Sequence, residues 1–221
     1  MSGLTALLHY PDPRAAEERL LLVMLPGVGI AAEDFAAQGL VAMVQTGRPV
    51  VDVIAAKPDQ TLYLDGNVAP TLEKAVLAPA RADGYRRIWL MGISLGGMGA
   101  LSCAAAQGCF VEGLILLAPF IGTHGTMVEL TRAGGLMGWR ADASTATPPE
   151  QEILTWLQAR LAGAAGPALW LGHASQDRFA AGHRLLAAAL PEDRAVLVEG
   201  KHDWAAWRGA FQAIIARNPF G

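Results

Sequence analysis

Apolar positions in this chain alternate between two periods. Strand-length, mostly apolar runs fall at Leu20 to Leu25, Val50 to Ala56, Ile88 to Ile93, Glu112 to Ala118, Ala168 to Gly172 and Ala195 to Val198. Runs of this kind suit strands covered on both faces. Between them, helical spacing predicts helices over Ala31 to Gln45, Asn67 to Ala82, Leu95 to Gln107 and Ala180 to Leu190. A closing helix repeats Trp204, Trp207, Phe211 and Ile214 on one side. Pro70 and Pro79 blur the limits of the second helix. Strands alternating with helices at this density imply a mostly parallel sheet with helices on both faces, which His9 and its neighbours precede.

The rhythm breaks between Phe120 and Gly166. One clear helix stands in that stretch: Thr147-Pro148-Pro149-Glu150 supplies an N-cap, a first-turn proline and a capping-box acid, and Ile153, Leu154, Leu157 and Leu161 form the apolar stripe. We read about residues 120–166 as a cap-like insertion that shapes access to the sheet edge. Met127, Leu130, Leu136, Met137, Trp139 and Trp156 supply its apolar area, more as core than as pocket wall.

Composition narrows the class. The chain has 221 residues, of which 52% are hydrophobic and 17% charged, and a net charge of −3; it reads as one domain over 1–221 with a sizeable core. No basic run marks a nucleic-acid partner. Ile88 to Val111 carries no charged residue, but Gly92, Gly96, Gly97, Gly99 and Gly108 interrupt it, so it reads as strand, turn and helix instead of a membrane span. The amino-terminal segment lacks the pattern of a secretory signal, and a cytoplasmic location is expected. Cys103 and Cys109 read as small core residues; neither H-E-x-x-H nor paired cysteine spacing occurs, so no metal is expected.

The chemistry concentrates at Gly92-Ile93-Ser94-Leu95-Gly96, a G-x-S-x-G pattern where a predicted strand meets a predicted helix. Random placement of this chain's glycines and serines would give only about 0.06 such patterns, before the strand and helix are required. The flanking glycines relieve crowding at a sharp turn that lifts the serine hydroxyl above the sheet edge. A serine hydroxyl needs a base, and the base needs a group to fix its tautomer. His202, in Glu199-Gly200-Lys201-His202-Asp203, follows the last strand and is the expected base. His9, His124, His173 and His183 are less well placed, His183 because it falls within a helix. Asp177, in the loop after the preceding strand, is the expected acid, with Glu199 as a substitute; Asp203, adjacent to His202, is a poor orienter. Backbone amides of Leu95 and of Val28, in the loop after the first predicted strand, are the expected oxyanion donors, with Gly29 as the alternative to Val28.

With Ser94, Asp177 and His202 in that order, the chain resembles the α/β-hydrolase family, specifically its small bacterial esterase-like members, over Leu20 through Phe211. Lys201-His202-Asp203-Trp204 is similar to the Gly-His-Asp-Trp loop of some esterases, with lysine for glycine; Pro26-Gly27 stands where many relatives carry His-Gly. The resemblance implies the α/β-hydrolase fold and an acyl-enzyme mechanism on a small-molecule ester or thioester, with no cofactor; oligomeric state is left open. Two alternatives remain. Gly27-x-Gly29-x-x-Ala32 with Asp52 downstream fits a dinucleotide fingerprint and an NAD(P)-binding oxidoreductase, although Asp52 falls inside its predicted strand. The other is a catalytically silent hydrolase-fold binding module.

Overall fold

A computed structural model describes residues 3–14, 18–47, 49–106 and 110–221. Seven strands form one sheet: β1 (Leu4–Tyr10), β2 (Leu20–Leu25), β3 (Val51–Pro58), β4 (Arg87–Ile93), β5 (Gly113–Leu117), β6 (Ala168–Ala174) and β7 (Ala195–Val198), in the order β1-β3-β2-β4-β5-β6-β7. All neighbouring pairs are parallel except β1 with β3. The mostly parallel sheet is as expected. The antiparallel β1 is an addition: the amino-terminal residues that include His9 are part of the sheet, not a prelude to it.

Period-two alternation sorts the strand residues onto two cores. Leu21, Val23, Leu25, Leu90, Leu114 and Leu116 face one side, and Leu20, Leu22, Met24, Met91, Ile115 and Leu117 the other. The first side is covered by α4 (Val68–Leu72), α5 (Ala78–Ala82), α6 (Leu95–Ala105) and α8 (Pro148–Leu161), which follow α3 (Thr61–Leu64) and flank α7 (His124–Arg132) in the chain. The second is covered by α1 (Asp34–Ala37), α2 (Leu40–Gln45) and α10 (Trp204–Ile215); α9 (Ala180–Ala187) follows β6. Each buried Leu, Ile or Phe contributes roughly 1.5–3 kcal/mol of hydrophobic stabilisation. Cys103 is in the first core; Cys109 lies outside the described residues.

Several boundaries differ from the sequence pattern, each for a local reason. The expected helix over Ala31 to Gln45 is two short ones, because Gly39 between them adopts φ 80°. The helix over Asn67 to Ala82 contains a π turn at Glu73–Leu77, just before Pro79, whose ring clashes with a regular i−4 carbonyl. The helix after the serine ends at Ala105, and Gln107 lies outside the described residues. In the 120–166 stretch a second helix, α7, joins the expected α8. The capping box forms: Glu150 accepts the Thr147 amide, and it also accepts the Thr123 amide and the Thr126 hydroxyl, tying the start of the excursion to the amino end of α8. Leu130, Leu136 and Trp139 are core, whereas Met137 is exposed. Among the described residues no helix is long and apolar enough to cross a membrane.

Candidate active site

Because β4, β6 and β7 run parallel, the loops that follow them emerge at one edge of the sheet. Ser94 follows β4, Asp177 follows β6 and His202 follows β7.

Ser94 adopts φ 54°, ψ −115°, a region costly for any residue with a side chain, and its flanking glycines are packed tightly against backbone. A Cβ on Gly92 would lie 2.1 Å from the Gly96 carbonyl oxygen, one on Gly96 2.0 Å from that of Leu25, and one on Gly97 2.7 Å from Pro119. Glycine is therefore required on both sides by backbone contact. The Ser94 amide donates to Leu117 O (3.0 Å), and its carbonyl accepts from Gly97 (2.9 Å) and Phe120 (2.9 Å). Ser94 is 7% exposed, at the amino end of α6.

His202 Nδ1 and Asp177 Oδ2 are 2.7 Å apart. The other Asp177 oxygen accepts the Phe179 amide at 2.8 Å. Burial pushes the Asp177 carboxyl up, but the hydrogen bonds from His202 and Phe179 outweigh it and hold the group below the ordinary carboxylate range. The imidazole is walled by aromatic edges, Phe179 at 5.2 Å and Trp207 at 5.1 Å between ring centroids. Among the described residues the Ser94 hydroxyl makes no hydrogen bond, so of the three expected groups the structure joins Asp177 to His202 directly and sets Ser94 on the same edge. Glu199 instead accepts from the Ser175 hydroxyl at 2.9 Å, and Asp203 caps α10 through the Ala206 amide at 3.1 Å.

The loop after β2 reaches the serine. A Cβ on Gly27 would lie 3.0 Å from Ser94 Cβ. Gly27 to Ile30 is a turn closed by Ile30 N to Gly27 O at 3.2 Å, with Gly29 at φ 77° and Val28 60% exposed at its tip. Among the described residues the amides of Val28 and Leu95 donate to no protein group.

Two histidines that the sequence pattern set aside lie beneath this edge. His173 is inside β6 instead of after it, and His183 on α9 is fully buried, 5.9 Å from it between ring centroids. Burial lowers the His183 pKa to about 4, so the ring is neutral, and it pairs at 3.0 Å with Pro119 O. Only the folded chain brings residues 119 and 183 together; the sequence holds no signal for it.

The dinucleotide reading is corrected by Asp52. It lies at the amino end of β3, 1% exposed, and its carboxylate accepts from Asp12 N (2.7 Å), Tyr85 Oη (2.6 Å) and Arg19 Nε (2.6 Å). A ribose-binding acid belongs at the opposite, carboxyl end of the strand, with its oxygens unclaimed. Among the described residues no group of three or more His, Cys, Asp or Glu could hold a metal ion.

No protein-family model matches the chain, and no curated protein matches it significantly. Solved structures do. The fluorophosphonate-binding serine hydrolase FphF of Staphylococcus aureus is 14% identical with a TM-score of 0.63, over 96% of this chain and 97% of that one. The S-formylglutathione hydrolase FrmB of the same organism is 17% identical, TM-score 0.61, over 92% and 83%. The bottromycin epimerase BotH is 17% identical, TM-score 0.57, over 97% and 94%. The chain therefore has the α/β-hydrolase fold, a scaffold that in these neighbours carries more than one activity.

Proposed function

We propose that the protein is a serine hydrolase that cleaves a carboxylic ester or thioester through an acyl-enzyme. The observation that carries this reading is the 2.7 Å His202–Asp177 pair on the sheet edge where Ser94 sits in a strained turn. His202 Nε2 takes the Ser94 proton as Oγ attacks the acyl carbon. The tetrahedral oxyanion is held by the Leu95 and Val28 amides and favoured by the positive end of α6. Collapse breaks the bond to the alcohol or thiol, which leaves with the proton from His202; water then attacks the acyl-enzyme by the same route in reverse. Asp177, ionised, fixes the tautomer with hydrogen on Nδ1 and steadies the imidazolium. A ligand-free site commonly has its serine–histidine hydrogen bond open, and substrate draws it closed.

The domain reading is part of the proposal: one domain over 1–221, with residues 120–166 as an insertion covering the approach to the serine, in a cytoplasmic setting. Phe120, at the start of that stretch, meets Phe179 edge-on at 5.6 Å, which favours an apolar acyl or alcohol group. Comparable rates on acetyl and octanoyl esters would remove the basis for that preference.

The test is hydrolysis of short p-nitrophenyl esters and of a thioester panel, together with intact mass after fluorophosphonate treatment. Turnover and a single phosphonyl adduct, both absent in Ser94→Ala, are expected. Turnover that persists in Ser94→Ala overturns the assignment; absence of both turnover and adduct in the parent leaves a silent binding module as the better account.

A further inference from the structure

The segment Leu117–Phe120 holds Ser94 from both sides, accepting its amide at Leu117 O and donating to its carbonyl from the Phe120 amide. That segment is itself strained. Ala118 has φ 46°, so two of the three non-glycine residues with positive φ among the described residues, Ser94 and Ala118, are back to back at this junction. Such conformations persist only where the surroundings over-determine them. Pro119, between Ala118 and Phe120, has no amide to contribute, and its carbonyl is the acceptor of His183 Nε2–H at 3.0 Å.

His183 belongs to α9, the helix that begins directly after the Asp177 loop. Its ring lies 6.4 Å from that of Phe179, which in turn meets His202 at 5.2 Å between ring centroids. The same helix packs tightly on the chain beyond Phe120: a Cβ on Gly182 would lie 2.7 Å from Met127 Sδ. One buried side chain thus ties the helix that follows the Asp177 loop to the segment that holds the Ser94 turn.

We infer that His183 is a positioning residue, a strut whose Nε2–H bond to Pro119 O sets the separation between the Asp177–His202 pair and the Ser94 hydroxyl. The inference rests on the hydrolase reading above. It requires the Nε2–H tautomer, and it makes His183 act on the chemical step, not on the affinity for substrate. A misplacement near 1 Å at a reacting group costs up to about a hundredfold in rate.

The experiment compares His183→Leu, which loses the donor, His183→Asn, whose amide is too short to reach, and His183→Gln, whose amide nitrogen falls near the Nε2 position. Each is assayed for kcat and KM on a neutral p-nitrophenyl ester, for the rate of fluorophosphonate labelling at Ser94 and for fold by circular dichroism. In Leu and Asn, kcat and labelling rate are expected to fall about tenfold to a hundredfold with KM within about threefold of the parent, and Gln is expected to recover most of the loss. If the Leu variant does not fold, the Asn–Gln contrast carries the same test. Parental kcat in folded Leu and Asn variants overturns the inference, as does a rise in KM at unchanged kcat, or a Gln variant as impaired as Asn. Nitrogen-15 spectra of the parent showing the His183 proton on Nδ1 also overturn it. A parent that neither turns over ester nor takes up the phosphonate defeats the hydrolase reading and this inference together; an active parent with indifferent His183 variants defeats this inference alone.

Discussion

The two ends of the sheet solve opposite problems. At the amino end, Asp52 and Asp12 are buried, and their carboxylates are taken up by Arg19, Tyr85, Arg14 and backbone amides. Burial pushes the Asp52 carboxyl up, but the Arg19 and Tyr85 hydrogen bonds outweigh it and keep the group ionised. At the carboxyl end, two non-glycine residues, Ser94 and Ala118, adopt positive φ, and among the described residues the buried ring nitrogens His173 Nδ1, His183 Nδ1 and Trp207 Nε1 have no protein partner. Saturated charge at one edge fixes the architecture. Strain and unpaired ring nitrogens at the other are what a reacting group needs, and they persist because packing elsewhere outweighs them.

Substitutions should separate the two ends cleanly. The largest effect is expected from Asp177→Asn, which keeps the shape of the site but loses the charge and tautomer control: kcat on p-nitrophenyl esters should fall by about 10³–10⁴ with little change in melting temperature. A variant with near-parental kcat would make Asp177 an ordinary loop residue. Asp52→Ala should do the reverse, losing about 1–3 kcal/mol in urea denaturation because the buried Asp12 amide and the Tyr85 hydroxyl lose their acceptor, while kcat per folded molecule stays parental. An equal loss of kcat would mean that the two ends are coupled.

Acid should act on the carboxyl end through His183. The unfolded chain protonates this ring near its ordinary pKa of about 6.5, whereas the folded chain resists until about pH 4. The stabilisation from keeping it neutral is therefore complete above about pH 6.5 and is lost as pH falls towards 4, a change of roughly 3 kcal/mol. Denaturation midpoints across that range should show this slope in the parent and a shallower one in His183→Gln; identical slopes would exclude His183 as its source. The smallest effect is expected from Asp203→Ala, which removes the cap of α10 and should cost about 1 kcal/mol, read as a drop in melting temperature.

Local sterics made part of this legible from residues alone. Gly92 and Gly96 announce the turn at Ser94 because nothing larger fits against the carbonyls of Gly96 and Leu25. The Thr147–Glu150 box announces α8 because both its bonds are made within one turn. Strand β1 escaped because Leu7 points outward and is half exposed, which blurs the polar alternation by which an edge strand is recognised. His183 looked like any helix residue, since its role depends on a carbonyl 64 positions away. His202 and Asp177 fell between these extremes: their loops were legible, but their 2.7 Å contact was not.

Strands β5 and β6 are immediate neighbours, paired from Gly113 with Ala168 to Leu117 with Gly172. The long stretch between them therefore departs and returns through adjacent slots, and its length places no demand on the register of either strand. Such a layout is modular beyond Phe120: descendants of this chain could exchange the cassette that follows, and with it the molecules admitted, provided that its replacement refills the core positions of Ile153, Leu154 and Leu157.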